Sequence, residues 1–244
     1  MNFKGPSAYE EKDFLANFLL RRNRVGSPNN SIEKPVIYEL LGTVQNKRIL
    51  DLGCGDALFG QELLQAGAQF YHGVEGSEEM YKLAQQNIEG LHAEMTFATM
   101  ESFDFPKEHY DHVTSRLAIH YLPEIDELFR NVHASLKEDG KFVFSVQHPL
   151  TTSSFASKKI GEKRGNWIVD DYFVEGERQE PWIDKIVVKY HRTTESYFKA
   201  LRKAGFSITD LQEGMPNRQY FEDQEEYERR KRIPVILAFS CSKQ

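Results

Sequence analysis

A chain of 244 residues, 40% hydrophobic and 28% charged, is long enough to bury one sizeable α/β core. Its net charge of -6 argues against a nucleic-acid surface, which leans on surplus Lys and Arg. Two cysteines, Cys54 and Cys241, provide neither a disulfide framework nor metal-ligand spacing, and no apolar run approaches the roughly 20 residues a membrane helix needs.

The first 22 residues mix Glu10, Glu11 and Asp13 into their apolar positions, unlike a signal peptide, so the expectation is a cytoplasmic protein. Phe14, Leu15, Phe18 and Leu19 fall at helical spacing within 9–22. Gly26 to Asn30 is turn-rich, and a second helix from Glu33 to Leu41 is opened by Ser31 and Pro35. A regular alternation follows: strand 48–52, helix 57–66, strand 69–75, helix 77–89, strands 94–98 and 110–116, helix 123–136, strand 141–147. That alternation predicts a parallel sheet with right-handed crossovers. After Pro149 the pattern breaks, and residues 150–183 are rich in Ser, Lys, Gly and aromatics without a period. It recovers with strand 185–190, helix 194–204, strand 206–211 and a last apolar strand at 234–241. The dense charges from Glu222 to Arg232 place Glu225–Arg229, Glu226–Arg230 and Glu228–Arg232 at i,i+4, the pattern of a solvated helix face.

The most informative stretch is Arg48-Ile-Leu-Asp-Leu-Gly-Cys-Gly-Asp-Ala-Leu-Phe-Gly60. It reads as a buried strand, a glycine turn and a helix start, with Glu75 at the tip of the next strand. Such a turn lets backbone approach a nucleoside at Gly53 and Gly55, while Glu75 can accept both ribose hydroxyls. A dinucleotide site wants a third glycine where this chain has Leu58, with Gly60 two residues late. Adenosylmethionine, which has no pyrophosphate, fits this turn better than NAD.

Ile49-Leu-Asp-Leu-Gly-Cys-Gly55 resembles motif I of the class I S-adenosylmethionine-dependent methyltransferases, and His72-Gly-Val-Glu-Gly-Ser-Glu-Glu-Met80 resembles their motif II. Tyr110 to Leu122 and Leu136 to Val146 are similar to the fourth and fifth strand regions of that family. The likeness runs in order from about residue 36 to 150, resumes near 190, and is strongest to the small-molecule enzymes of the ubiquinone-biosynthesis type. It implies a single α/β, Rossmann-like domain over 1–244, with a seven-stranded mixed sheet of order 3-2-1-4-5-7-6 and helices on both faces. It further implies an N-terminal lid segment, 1–34, and a substrate-lid insertion, 150–190. The implied activity is methyl transfer from S-adenosyl-L-methionine to a small-molecule O, N or C nucleophile by in-line displacement, with no metal and no membrane or nucleic-acid partner. A non-catalytic adenosylmethionine-binding protein and an NAD-dependent oxidoreductase on a similar fold are the alternatives.

The resemblance assigns the cofactor to Asp51, Gly53, Cys54 and Gly55 of the turn and to Glu75, Gly76 and Met80 of motif II. Asp51 would orient the cofactor's amino group, whereas Asp56 and Ser77 read as helix caps. The third-strand region departs from the family. Thr99 stands where an acid is usual, leaving Met100 to meet adenine through its backbone N–H and thioether, with Glu101 as the nearby charge. Arg116 and Leu117 would border the sulfonium, and the Asn/Asp-Pro-Pro-Tyr motif of many amine methyltransferases is absent there. His148, His120 and His191 are the candidate catalytic residues because two follow strand tips and one the fourth strand; each has the alternative of a packed or capping histidine. Trp167, Tyr172, Phe173 and Trp182, with Asp170 and Asp171, either wall a dry pocket or form a small core under a long loop.

Overall fold

The computed structural model describes residues 2–243. In chain order it comprises β1 (Asn2–Lys4), α1 (Lys12–Arg22), α2 (Lys34–Leu41), β2 (Arg48–Leu52), α3 (Leu58–Gln65), β3 (Phe70–Glu75), α4 (Glu78–Asn87) and β4 (Ala93–Phe97). There follow β5 (Tyr110–Arg116), α5 (Asp126–Ser135), β6 (Leu136–Gln147), α6 (Pro149–Thr152), β7 (Gly176–Trp182) and β8 (Lys185–His191). The chain ends with α7 (Thr194–Lys203), β9 (Ser207–Gln212), α8 (Gln224–Arg230) and β10 (Ile236–Ser242).

The main sheet has the order β4-β3-β2-β5-β6-β10-β9, which is 3-2-1-4-5-7-6 when its own strands are numbered along the chain. The first five strands pair in parallel, and β10 runs antiparallel to both β6 and β9. Strands in such a sheet are apolar on both faces because helices cover both. Along β6, Phe142 and Phe144 enter one core and Val143 the other; Leu237, Ala238 and Phe239 of β10 alternate in the same way. Helices α5 and α7 supply Phe129, Val132 and Leu201 to the first core, while α2 and α3 supply Ile37, Leu40 and Leu63 to the second. The order reverses between β2 and β5, where the crossovers leave in opposite directions and open a crevice at the strand tips. None of the described helices is long and apolar enough to cross a membrane.

A second sheet, β1-β8-β7, lies outside this frame and is not foreseen by the sequence reading. The strand expected at 185–190 belongs to it, paired in parallel with β1 and antiparallel with β7. β7 reads Gly-Glu-Arg-Gln-Glu-Pro-Trp, too polar to announce a strand. The hairpin turn has no glycine either: Ile183 adopts φ +59, rare for a β-branched residue, and its burial with Ala8, Phe14 and Val187 offsets the strain.

Candidate functional site

A cavity of about 1190 Å³ lies over the C-terminal tips of the central strands, and all eleven residues assigned to the cofactor from the sequence line it. The glycine turn after β2 is tied to β3 by hydrogen bonds from Gly53 N (2.8 Å) and Cys54 N (3.1 Å) to Val74 O. Gly53 has φ +70, and a Cβ there would lie 2.7 Å from the Ala118 Cβ, so backbone alone can occupy that position. The close approach of helix to strand falls at Gly60. A Cβ on it would sit 2.2 to 2.5 Å from the ring of Tyr71, which fills the space beneath α3.

Two carboxylates converge on this turn. Asp51 is buried; its Oδ2 accepts from the Tyr71 hydroxyl at 2.8 Å, and its Oδ1 has no partner among the described residues. Burial pushes its carboxyl up to about 6 even though Tyr71 and Arg116 pull it down. Glu75 closes β3, accepting from Gly55 N and Ser77 N at 2.8 Å each. Burial raises it to about 7 against those two donors. A buried carboxylate held this close to neutrality becomes fully ionised when further donors arrive.

The other assigned residues surround these two. A Cβ on Gly76 would meet Pro6 Cγ at 2.7 Å, so the N-terminal segment lies directly over the strand tip. Met80 is buried in the first turn of α4, which Ser77 caps by accepting from Met80 N at 3.3 Å. Thr99 and Ser102 exchange hydrogen bonds through backbone and hydroxyl, Glu101 is exposed, and Met100 packs beside the glycine turn. Arg116 is locked in place: Nη2 meets the buried Glu33 carboxylate at 2.5 Å, and its guanidinium lies 4.3 Å over the Phe59 ring. Leu117 turns the chain at φ +52. Asp56 is not the N-cap of α3, a place taken by Ala57 at φ +56; its Oδ1 accepts from Leu58 N at 3.4 Å. It pairs with Arg22 of α1, drawing the N-terminal helix against the glycine turn.

The structure separates the three candidate histidines. Only His120 lines the cavity. Its Nδ1 accepts from Gln147 N at 3.4 Å, which leaves the proton of the neutral ring on Nε2. Burial, reinforced by the Lys189 ammonium, keeps His120 far below the usual histidine range, so it is poised to donate a hydrogen bond and is a poor base. His148 caps α6 by accepting from Leu150 N at 3.1 Å, and its Nε2 meets Glu213 at 2.9 Å. His191 bonds the Thr152 hydroxyl (2.8 Å) and Tyr172 O (2.9 Å). Both lie away from the cavity walls, their nitrogens already taken by Leu150 N and Glu213 in one case and by the Thr152 hydroxyl and Tyr172 O in the other.

The lid aromatics divide as well. Trp182 meets Tyr9, Phe14 and Phe18 edge-on at 5.5 to 6.4 Å, forming a small core that is also a cavity wall. Trp167 lines the cavity beneath Arg164, Arg229 and Arg232, whereas Tyr172 packs on His191 and Phe173 is exposed; Asp170 and Asp171 do not reach the cavity. The sequence reading also misses a buried ionic group. Lys158 and Lys189 both pair with the Glu180 carboxylate, and Lys189 Nζ lies 4.5 Å over the Trp182 ring. Lys189 stands beside Val187 and Val188 in a strand, and a charge in so apolar a run was the available signal.

Comparison with known proteins identifies the family. A family model described as a methyltransferase domain matches residues 49–140. The solved S-adenosylmethionine-dependent methyltransferase of Mesorhizobium loti is 33% identical, with a TM-score of 0.78, over 86% of this chain and 97% of that one. A Listeria monocytogenes structure assigned to the same class is 30% identical, with a TM-score of 0.79, over 87% and 96%. A ubiquinone biosynthesis O-methyltransferase of Bordetella avium is 29% identical over 120 residues, about half of each chain. The nicotinamide alternative falls with these matches, S-adenosylmethionine is the cofactor, and the chain belongs to the S-adenosylmethionine-dependent methyltransferases.

Proposed function

We propose that the acceptor is a small molecule, taken up in the part of the cavity roofed by the N-terminal segment and by the insertion after α6. The observation that carries this reading is the roof itself. Pro6, Tyr9 and Phe18 close the cavity from one side, and Phe155, Trp167 and Trp182 close it from the other. A folded RNA or protein would have to displace both elements, whereas a small acceptor fits beneath them. On this reading the N-terminal segment and the insertion are the two lids.

The residues present fit the cofactor. Asp51 Oδ1 is a buried acceptor without a donor, which an ammonium group would supply. Glu75 can accept ribose hydroxyls in addition to its two backbone donors, and Gly53 and Gly55 keep side chains out of the space beside them. Gly76 and Met80 border the ribose, while Met100 and Glu101 face the base; Cys54 packs behind the turn. When bound, S-adenosylmethionine supplies a methyl group already activated by its sulfonium. The protein's task is therefore to align the acceptor and keep water away. Arg116, held by Glu33, fixes the turn at Leu117 beside that space, and His120 donates from Nε2 to orient the acceptor's nucleophile.

Calorimetric titration with S-adenosylmethionine, S-adenosylhomocysteine and NAD should give binding of the first two alone. Incubation with methyl-labelled cofactor and size-fractionated cell extract should then label the low-molecular-weight fraction. Label confined to RNA or protein would overturn the small-molecule reading.

A further inference from the structure

Beyond the methyl donor, the cavity has an electrical character that the molecule as a whole lacks. The chain carries a net charge of -6, yet thirteen Lys and Arg residues line the cavity against seven Asp and Glu. Several of those cations are paired one to one: Arg116 with Glu33, Lys34 with Glu62, Arg22 with Asp56. Lys163, Arg229 and Arg230 share Glu226, and the group formed by Lys158, Glu180 and Lys189 is the more deeply buried of the two clusters. In it two ammonium groups share one carboxylate, which leaves one positive charge unbalanced. Glu180 and Lys189 are almost wholly buried, at 3% and 1% side-chain exposure, so solvent compensates that charge poorly.

Two further observations mark the same spot as a place for a ligand. The Gln147 amide donates to Glu180 at 3.4 Å, while its buried Oε1 has no partner among the described residues. Tyr9 and Tyr121, whose hydroxyls are 3.4 Å apart, line the same cavity as Glu180 and Glu75. The ionic group and the carboxylate at the tip of β3 therefore face a common space. Charge surplus, an unpaired amide oxygen and flanking aromatic rings call for a ligand with an anionic group, an adjacent hydrogen-bond donor and an apolar body.

We propose that Lys158 and Lys189, with Gln147, form a carboxylate-binding subsite, and that the methyl acceptor is a small carboxylic acid bearing a hydroxyl or amine. The group's own surplus is one positive charge, which a monoanion balances. Lys189 is fixed by Glu180 and by the Trp182 ring, so Lys158, which is 20% exposed, is the group able to swing onto the ligand. Burial, with the neighbouring Lys158, brings Lys189 down to about 8 in spite of Glu180, still above neutrality, and burial raises Glu180 less than the two ammonium groups lower it. The carboxylate thus stays ionised and the surplus charge persists near neutrality.

This inference rests on the small-molecule reading, and its test separates the two. Protein saturated with S-adenosylhomocysteine is titrated with paired probes: benzoate and benzamide, 4-hydroxybenzoate and 4-hydroxybenzamide, hexanoate and hexanamide, and phenyl phosphate. At least one acid should bind tenfold or more tightly than its amide, and Lys158→Gln should abolish that preference without altering S-adenosylhomocysteine affinity. Lys189→Gln breaks a buried pair and can fail to fold; Lys158→Gln keeps the test decisive. Equal binding of acids and amides, no binding by any acid, a preference that survives Lys158→Gln, or tighter binding of phenyl phosphate would each overturn the carboxylate assignment. Labelling of macromolecules alone, in the experiment above, would remove the small-molecule reading instead.

Discussion

On one side of the cavity the lining comes from short stretches at the C-terminal ends of consecutive strands: 51 and 53–55 at β2, 75–76 at β3, 99–101 beyond β4 and 116–117 at β5. On the other side it comes from segments far apart in the chain. Tyr9 meets Trp182, Gln147 meets Glu180, and Arg22 meets Asp56. The first wall is built by backbone geometry, with glycines at positive φ and carboxylates at strand tips. The second is built by side-chain packing between a three-stranded sheet and the N-terminal helix. A site for an invariant cofactor can be encoded locally, because the same turn always meets the same atoms. A site for a particular acceptor is free to be assembled from whatever the lids bring together.

The sharpest way to break this contrast is to remove Glu75. Glu75→Ala should weaken S-adenosylhomocysteine binding by roughly 1–3 kcal/mol, about fivefold to 150-fold, if two ribose bonds are lost. It also strands two backbone donors, Gly55 N and Ser77 N, at a further cost of about 1–3 kcal/mol of stability each. Calorimetry and denaturant melts measure the two separately. Unchanged affinity in a folded variant would remove the ribose assignment.

Gly60→Ala tests whether the first wall depends on helix–strand closeness. The new Cβ would sit within 2.5 Å of the Tyr71 ring, which is fully buried and cannot retreat without leaving Asp51. A loss of about 1–3 kcal/mol is expected, together with weaker cofactor binding. A variant as stable as the parent would mean that Tyr71 has room that the packing denies it.

A third test uses pH. The folded chain holds Asp51 at about 6 and Glu75 at about 7, above their ordinary 3.8 and 4.5, so it binds protons more tightly than the unfolded chain. Their contribution to the stability of the ligand-free protein is therefore fully present at low pH, is lost as pH rises through about 7, and changes little above that. Cofactor affinity should run the other way. Ribose donors favour the ionised carboxylate, so affinity rises by up to about tenfold per unit until pH passes 7. In Glu75→Gln the part of both slopes owed to this residue should vanish; parallel slopes in parent and variant would show that Glu75 is not the titrating group.

What the sequence made legible follows the same division. Strands β2, β3 and β5 announce themselves because both their faces are buried, and the glycine turn does so because Gly53 admits no side chain. The sheet order follows from the motifs' resemblance. β7 and the hairpin at Ile183 were hidden, since polar residues and a β-branched turn carry no periodic or glycine signal. His148 and His191 were placed correctly at strand ends, but their partners, Glu213 and Thr152, come from elsewhere in the chain. Tyr71, the partner of Asp51, was legible as a buried strand residue and not as a support for the site. Short-range constraint can be read from a string of residues; the choice of a partner across the fold cannot.

The smallest expected effects lie on α8, where the even spacing of charges suggested a solvated face. Only one of its three anticipated pairs forms, Glu226–Arg230 at 2.7 Å. Glu226 instead gathers Arg229 at 2.6 Å and Lys163 at 2.6 Å as well, while Arg232 turns to Gly165 O at 2.8 Å. Arg229 and Arg230 consequently face the cavity. Glu225, exposed and outside this cluster, should tolerate Glu225→Ala within about 0.5 kcal/mol. Glu226→Gln keeps the shape and an acceptor oxygen of the side chain and should cost about 1–2 kcal/mol. It would leave three cations unbalanced near the roofed wall. Binding of a carboxylate probe should then tighten a few-fold at low salt and return to the parent value at 1 M salt, where screening acts over about 3 Å. If the two substitutions alter probe binding equally, α8 is only a solvated face after all, and the cavity's positive character stops short of it.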